Sequence, residues 1–159
     1  HPGYGSWEES WRILREKRAL ESALDMEVTQ SRQHWLRFSW ARTWEALARA
    51  GLKRDLSLGF NDRPGFRSGA ALAFKPWDPV RKGPFPLEEI PLVIMDSHFY
   101  DYQRPEDPGL SAASWVHKIR RCGGTASVLW HQQVFGKDYG WRGGYQAVLA
   151  AVAGRGPSG

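Results

Sequence analysis

Five histidines, one arginine and one aspartate carry most of the chemistry that this sequence offers beyond packing. "MEVTQ" reads as a strand that runs out into Arg32 and His34, "PLVIM" runs out into Asp96 and His98, and "SVLW" runs out into His131. In parallel α/β architectures functional groups collect at the carboxyl ends of strands, so these positions would turn groups from separate strands toward one cleft. His1 joins them if it too follows a strand. Neutral imidazoles are ligands for zinc and related metals. A metal held by two histidines and a carboxylate polarises a carbonyl and acidifies its bound water. A further histidine, steadied by a carboxylate, protonates a leaving amine. The bland readings stand beside these: His34 and His98 as loop histidines, Asp96 as a cap, His117 as a solvated residue within a basic helix. His131 is harder to read blandly, because it follows a buried strand directly. The residues alone reach metal-assisted hydrolysis and go no further.

The elements that would position these groups alternate along the chain. Ser6 and Glu9 have capping-box spacing, and Trp7, Trp11, Leu14, Leu20 and Leu24 recur at helical turns, which predicts an amphipathic helix over residues 7–24. "MEVTQ" predicts a short strand. "ARTWEALARAG" predicts a helix closed by Gly51, and "DLSLGF" another strand. Residues 61–88 are rich in Pro, Gly and aromatics and show no sustained period. "EEIPLVIMDSHF" predicts a buried strand leaving at Asp96, "LSAASWVHKIRRCGG" a helix capped at Ser111, "TASVLWH" a buried strand and "GGYQAVLAAVAG" a final helix. Near-continuous apolar strands alternating with helices predict an α/β fold with a parallel sheet or barrel and helical crossovers.

Composition narrows the partners. With 159 residues the chain has the size of one domain. Its net charge is +5, and the densest basic cluster, "RILREKR", lies among glutamates on a helix, so it reads as a solvated face. The nine tryptophans fill a core or offer flat faces to sugars or nucleotides. Nucleic acid ranks last among partners, since no basic stripe tracks a phosphate backbone. Cys122 is the only cysteine, so no internal disulfide forms. Together with the lack of a leader in this chain, that fits a reducing compartment such as the cytoplasm and leaves the localisation open. No apolar run reaches the ~20 residues of a membrane span.

The order and spacing of "HPGYGSW", "SRQHWLRF", "DLSLGF...GFRSG", "EEIPLVIMD" and "SVLWH" resemble the NodB-homology polysaccharide deacetylases, in particular a divergent bacterial branch. The resemblance runs from His1 to about residue 152. It implies a partial, deformed (β/α) barrel with mostly parallel strands, as one domain over residues 1–154 whose N-terminal part is missing, with a flexible tail at 155–159. It implies a metal-dependent hydrolase that removes N-acetyl groups from amino-sugar polymers, using a divalent metal, usually zinc. His1 falls on a metal histidine, Arg32 on the arginine that orients the general base, and His131 on the general acid. Asp96 falls on the carboxylate that tunes that acid. Gly5 stands where the second metal histidine is expected, and His34 is the candidate replacement. Trp35 would wall the substrate face, and Trp130 would share in glycan binding.

Other departures are plain. The family's paired aspartates lie upstream of the motif at which this chain begins. "QHWL" replaces the usual proline and glycine after the arginine, and the tryptophan-bearing motif around Asp96 is absent. Arg32 should therefore either meet a carboxylate outside this chain or be solvated, because an unpaired buried guanidinium is costly. The alternative is an inactive, deacetylase-like glycan-binding domain using Trp35 and Trp130. An incomplete barrel would leave a sheet edge open, so self-association through that edge, or marginal folding, is expected.

Overall fold

The computed structural model describes residues 1–154; the tail expected at residues 155–159 lies outside the described residues. The chain forms two compact units. One comprises His1–Leu58 and Ala73–Pro91, the other Gly59–Leu72 and Leu92 onward. Each combines helices with a parallel strand pairing, so the α/β class holds.

In the first unit, helix α1 spans Ser10–Leu24 and opens at Glu9, which makes no side-chain cap. The Ser6–Glu9 capping box does not form. Ser6 is buried and its hydroxyl donates instead to Glu16 Oε1 at 2.7 Å, which fixes a turn before the helix and delays its start. The buried face also differs from the expected one. Ile13 is the buried residue of α1, whereas Trp11 and Leu24 remain 54 % exposed. The run 26–30 shortens to a two-residue strand β1, Gln30–Ser31, and Met26 is exposed.

Helix α2, Thr43–Arg49, buries Trp44, Ala46 and Leu47. Gly51, at φ 74°, closes it in the left-handed conformation that glycine adopts at least cost, and Leu52 N–H reaches back to Leu47 O at 3.1 Å. The chain returns as β2, Arg54–Asp55. Trp44, Leu47, Leu52 and Leu58 pack with Ile13, Phe85 and Leu87 in one core, where each fully buried aliphatic side chain contributes about 2 kcal/mol.

Within the segment read as lacking regular structure, β3 (Trp77–Asp78) and β4 (Gly83–Pro84) form an antiparallel hairpin. Asp78 Oδ1 holds its turn by accepting from Val80 and Arg81 N–H. β5, Glu88–Glu89, then completes a parallel sheet in the order β1-β2-β5. The register sets Ser31 beside Asp55 and Asp55 beside Glu89. The strand expected to run unbroken through "EEIPLVIM" stops after β5, because Pro91 has no N–H to give to a ladder.

In the second unit, β6 (Leu92–Met95) is buried throughout and pairs in parallel with β7 (Ser127–Leu129). Between them runs α3, Pro108–Arg121. Asp107, not Ser111, caps α3: its side chain accepts from Leu110 N–H at 2.8 Å, and Pro108 occupies the first turn, where a missing N–H is harmless. α4, Arg142–Val152, closes the unit. Val93, Ile94, Phe99, Ala112, Val116, Val148 and Ala151 form its core. A methyl group on Gly59 would sit 2.7 Å from Leu92 O, so glycine there admits a close backbone approach to β6. Among the described residues no helix is long and apolar enough to cross a membrane.

Candidate functional site

Asp96 leaves β6 directly and His131 follows β7 with Trp130 between them, and Met95 and Leu129 are register partners in that parallel pair. The two side chains therefore emerge together from the carboxyl ends of neighbouring parallel strands. Asp96 is fully buried, and its partners are donors. Ser97 N–H reaches Oδ1 at 2.7 Å, and His131 N–H reaches Oδ2 at 2.7 Å. His131 Nδ1 lies 2.9 Å from Oδ1 and 3.0 Å from Oδ2. A carboxylate only accepts, so Nδ1 carries hydrogen. The imidazole is thereby held in the tautomer that presents Nε2. The His131 side chain remains 40 % exposed, and Nε2 has no partner among the described residues. A buried carboxylate fixing one nitrogen of a half-exposed imidazole is an arrangement suited to proton transfer at the other nitrogen.

His1 and His34 come together in the first unit, with ring centroids 4.7 Å apart and planes at 42°, and Tyr4 meets His34 edge-on at 5.8 Å. His34 opens a short turn, His34–Leu36, separated from β1 by Arg32 and Gln33. Trp35 and Leu36 both lie in the left-handed region, at φ 58° and 49°, a costly conformation for residues with a Cβ. The turn buries Leu36 and leaves the Trp35 indole 69 % exposed.

Arg32 is neither stranded nor freely solvated. Its guanidinium is half-buried, with Nε donating to Leu56 O at 3.1 Å. Burial pushes its pKa down, and the charge of Asp55 on β2 works against that shift. Asp55 thus acts on Arg32 as a nearby charge rather than as a hydrogen-bonded partner.

His98 is structural. It is fully buried; Nδ1 accepts from Met95 N–H at 3.1 Å, so Nε2–H donates to Phe60 O at 2.9 Å. Burial lowers its pKa, and neither ring nitrogen is left for other chemistry. Trp130 packs beside the second core, against Tyr100 at 6.2 Å and Tyr145 at 5.9 Å. His117 lies inside α3.

Asp55 and Glu89 were not singled out by the sequence, although both are fully buried at the ends of β2 and β5. The available signal was an acidic residue inside each of two otherwise apolar runs, "DLSL" and "EIPLV", since buried carboxyls occur where something pairs with them.

The metal that the resemblance implies fits these residues only in part. Among the described residues no group of three or more His, Cys, Asp or Glu side chains is placed to share an ion, whereas a zinc site takes three protein ligands or more. His1 and His34 supply two imidazoles and fall short of such a set. No protein-family model matches the chain, and no curated protein sequence does.

Proposed function

We propose that the chain acts as a hydrolase of the polysaccharide-deacetylase type, removing N-acetyl groups from amino-sugar polymers, with His131 as its acid–base residue and Asp96 as the group that positions it. The observation that carries this reading is the Asp96–His131 pair. In amide hydrolysis water adds to the carbonyl carbon, the C–N bond breaks, and the departing amine takes a proton while acetate leaves. His131 Nε2, as the imidazolium, gives that proton, and buried Asp96 offsets the positive charge beside it. A positioned acid of this kind is worth about 10²–10⁴-fold in rate. Arg32 belongs to this proposal as a positioning residue, Trp35 and Trp130 as contacts for the sugar, and the partial (β/α) barrel as its scaffold. A divalent metal, with zinc the first to test, is proposed on His1 and His34.

The test is acetate release from fully N-acetylated chito-oligosaccharides, compared between the native chain and His131→Ala. Turnover that falls by about 10²-fold or more supports the reading; turnover indifferent to His131 overturns it. A second reading has its own observation, the exposed Trp35 indole beside His34. On that reading the chain is an inactive glycan-binding domain. It binds the oligosaccharide without releasing acetate, and Trp35→Ala abolishes binding.

A further inference from the structure

Asp55 and Glu89 stand side by side at the carboxyl ends of β2 and β5 as Cα partners in parallel register, and neither exposes any surface. Carboxyl groups in such a place need donors. Glu89 receives Trp44 Nε1–H on one oxygen at 2.8 Å and Leu58 N–H on the other at 3.3 Å. Asp55 Oδ1 receives Ser57 N–H at 3.1 Å and, through a short bond, the Ser57 hydroxyl. Asp55 Oδ2 is buried and has no donor so long as both groups are ionised.

The charges that face the pair are few. From the exit of β1 comes Arg32, which interacts with Asp55. From α2 comes the neutral Trp44 indole. The segment bridging Glu89 is at Phe74, also neutral. Alternation along the strands turns Arg54 and Glu88 away, into an open cavity shared with Lys53 and Lys75.

We propose that Asp55 and Glu89 share one proton, carried by Glu89 and donated to Asp55 Oδ2, and that this proton latches the carboxyl ends of β2 and β5 together. The latch extends to the turn bearing His34 and Trp35. The Ser57 hydroxyl that binds Asp55 accepts from Gln33 N–H at 2.9 Å, and Gln33 is the residue from which that turn starts. With the proton in place Asp55 Oδ2 gains the donor it lacks, and Arg32 faces a single negative charge. Without it, two buried carboxylates face each other. Burial raises the pKa of both groups, and the charge of Asp55 raises that of Glu89 further.

The consequence is a pH-sensitive first unit. Glu89 keeps its proton in the folded chain and loses it on unfolding, so its stabilisation is complete below the ordinary carboxyl range. It declines as pH rises toward the folded-state value, by about tenfold in the unfolding constant per pH unit. The latch operates independently of His131.

Two measurements on the full chain test it. In infrared spectra at neutral pH the native protein should show a protonated-carboxyl C=O band that Glu89→Gln removes. Absence of that band, or its survival in Glu89→Gln, overturns the proposal. In denaturant unfolding between about pH 7 and 9, Glu89→Gln, whose amide still donates to Asp55, should reduce the pH dependence of the unfolding constant by about tenfold per pH unit. Parallel pH profiles for the two proteins would also overturn it.

Discussion

Replacing Asp96 by asparagine changes one oxygen to an NH₂ group, and the surroundings of Asp96 make the cost calculable. Three donors converge on its carboxylate: Ser97 N–H, His131 N–H and His131 Nδ1–H. An amide offers one oxygen, so at least one donor must face the new NH₂. A buried unsatisfied donor costs about 1–3 kcal/mol, and exchanging charge-assisted bonds for neutral ones costs about 1 kcal/mol more. Asp96→Asn should therefore lose about 2–4 kcal/mol of stability. The relief open to the mutant is to turn its NH₂ toward Nδ1, which forces His131 into the opposite tautomer with hydrogen on Nε2. Urea unfolding followed by tryptophan fluorescence measures the first effect. Long-range ¹H–¹⁵N spectra of the imidazole measure the second. Asp138→Asn, an exposed aspartate, serves as control and should stay within about 0.5 kcal/mol of the native chain. A cost for Asp96→Asn no larger than that of the control, with the His131 tautomer unchanged, would mean that Asp96 does not hold the imidazole in this way.

Gly59→Ala should destabilise by about 1–3 kcal/mol in the same unfolding assay, because its Cβ would meet Leu92 O at 2.7 Å and Leu92 Cβ at 2.9 Å. Gly143→Ala, where a Cβ meets nothing within 4 Å and which lies in α4, should be neutral or stabilising. His98→Ala leaves Met95 N–H and Phe60 O without their partner and should cost about 2–5 kcal/mol. Since burial lowers the His98 pKa from 6.5, the unfolded chain takes up that proton first. Its stabilisation is present above the ordinary histidine value and is lost as pH falls below it, an acid slope that His98→Ala should remove. In calorimetric titration with zinc chloride, His34→Ala should weaken binding by about tenfold or more; unchanged binding would separate His34 from any metal role.

The parts of the fold legible in the sequence are those whose signal is local. Leu92–Met95 reads as a buried strand because the residues are apolar on both faces, and α2, α3 and α4 read from period and closing glycines. Asp96 and His131 were legible as polar exits from apolar strands, and the parallel pairing of β6 with β7 brings them into contact. Strands were expected near β1, β2 and β5, but their two-residue lengths were not legible, because so short a ladder is fixed by tertiary pairing rather than by propensity. The wrong phase of α1 has a similar origin. Trp11 and Leu24 have helical spacing, but the tertiary contacts select the face of Ile13. Asp55 and Glu89 lie 34 positions apart, so only the register of β2 against β5 reveals them as a pair.

On the proposed function, Asp96 holds His131 so that its Nε2 delivers a proton to a departing amine. Chemical rescue probes that role: acetate release from an N-acetylated chito-oligosaccharide by His131→Ala, measured with and without added imidazole. The half-exposed position of His131 leaves a cavity open to a small base, so imidazole should restore a concentration-dependent part of the lost turnover. Full activity of His131→Ala without imidazole, or lost activity that imidazole leaves unchanged, would contradict the claim.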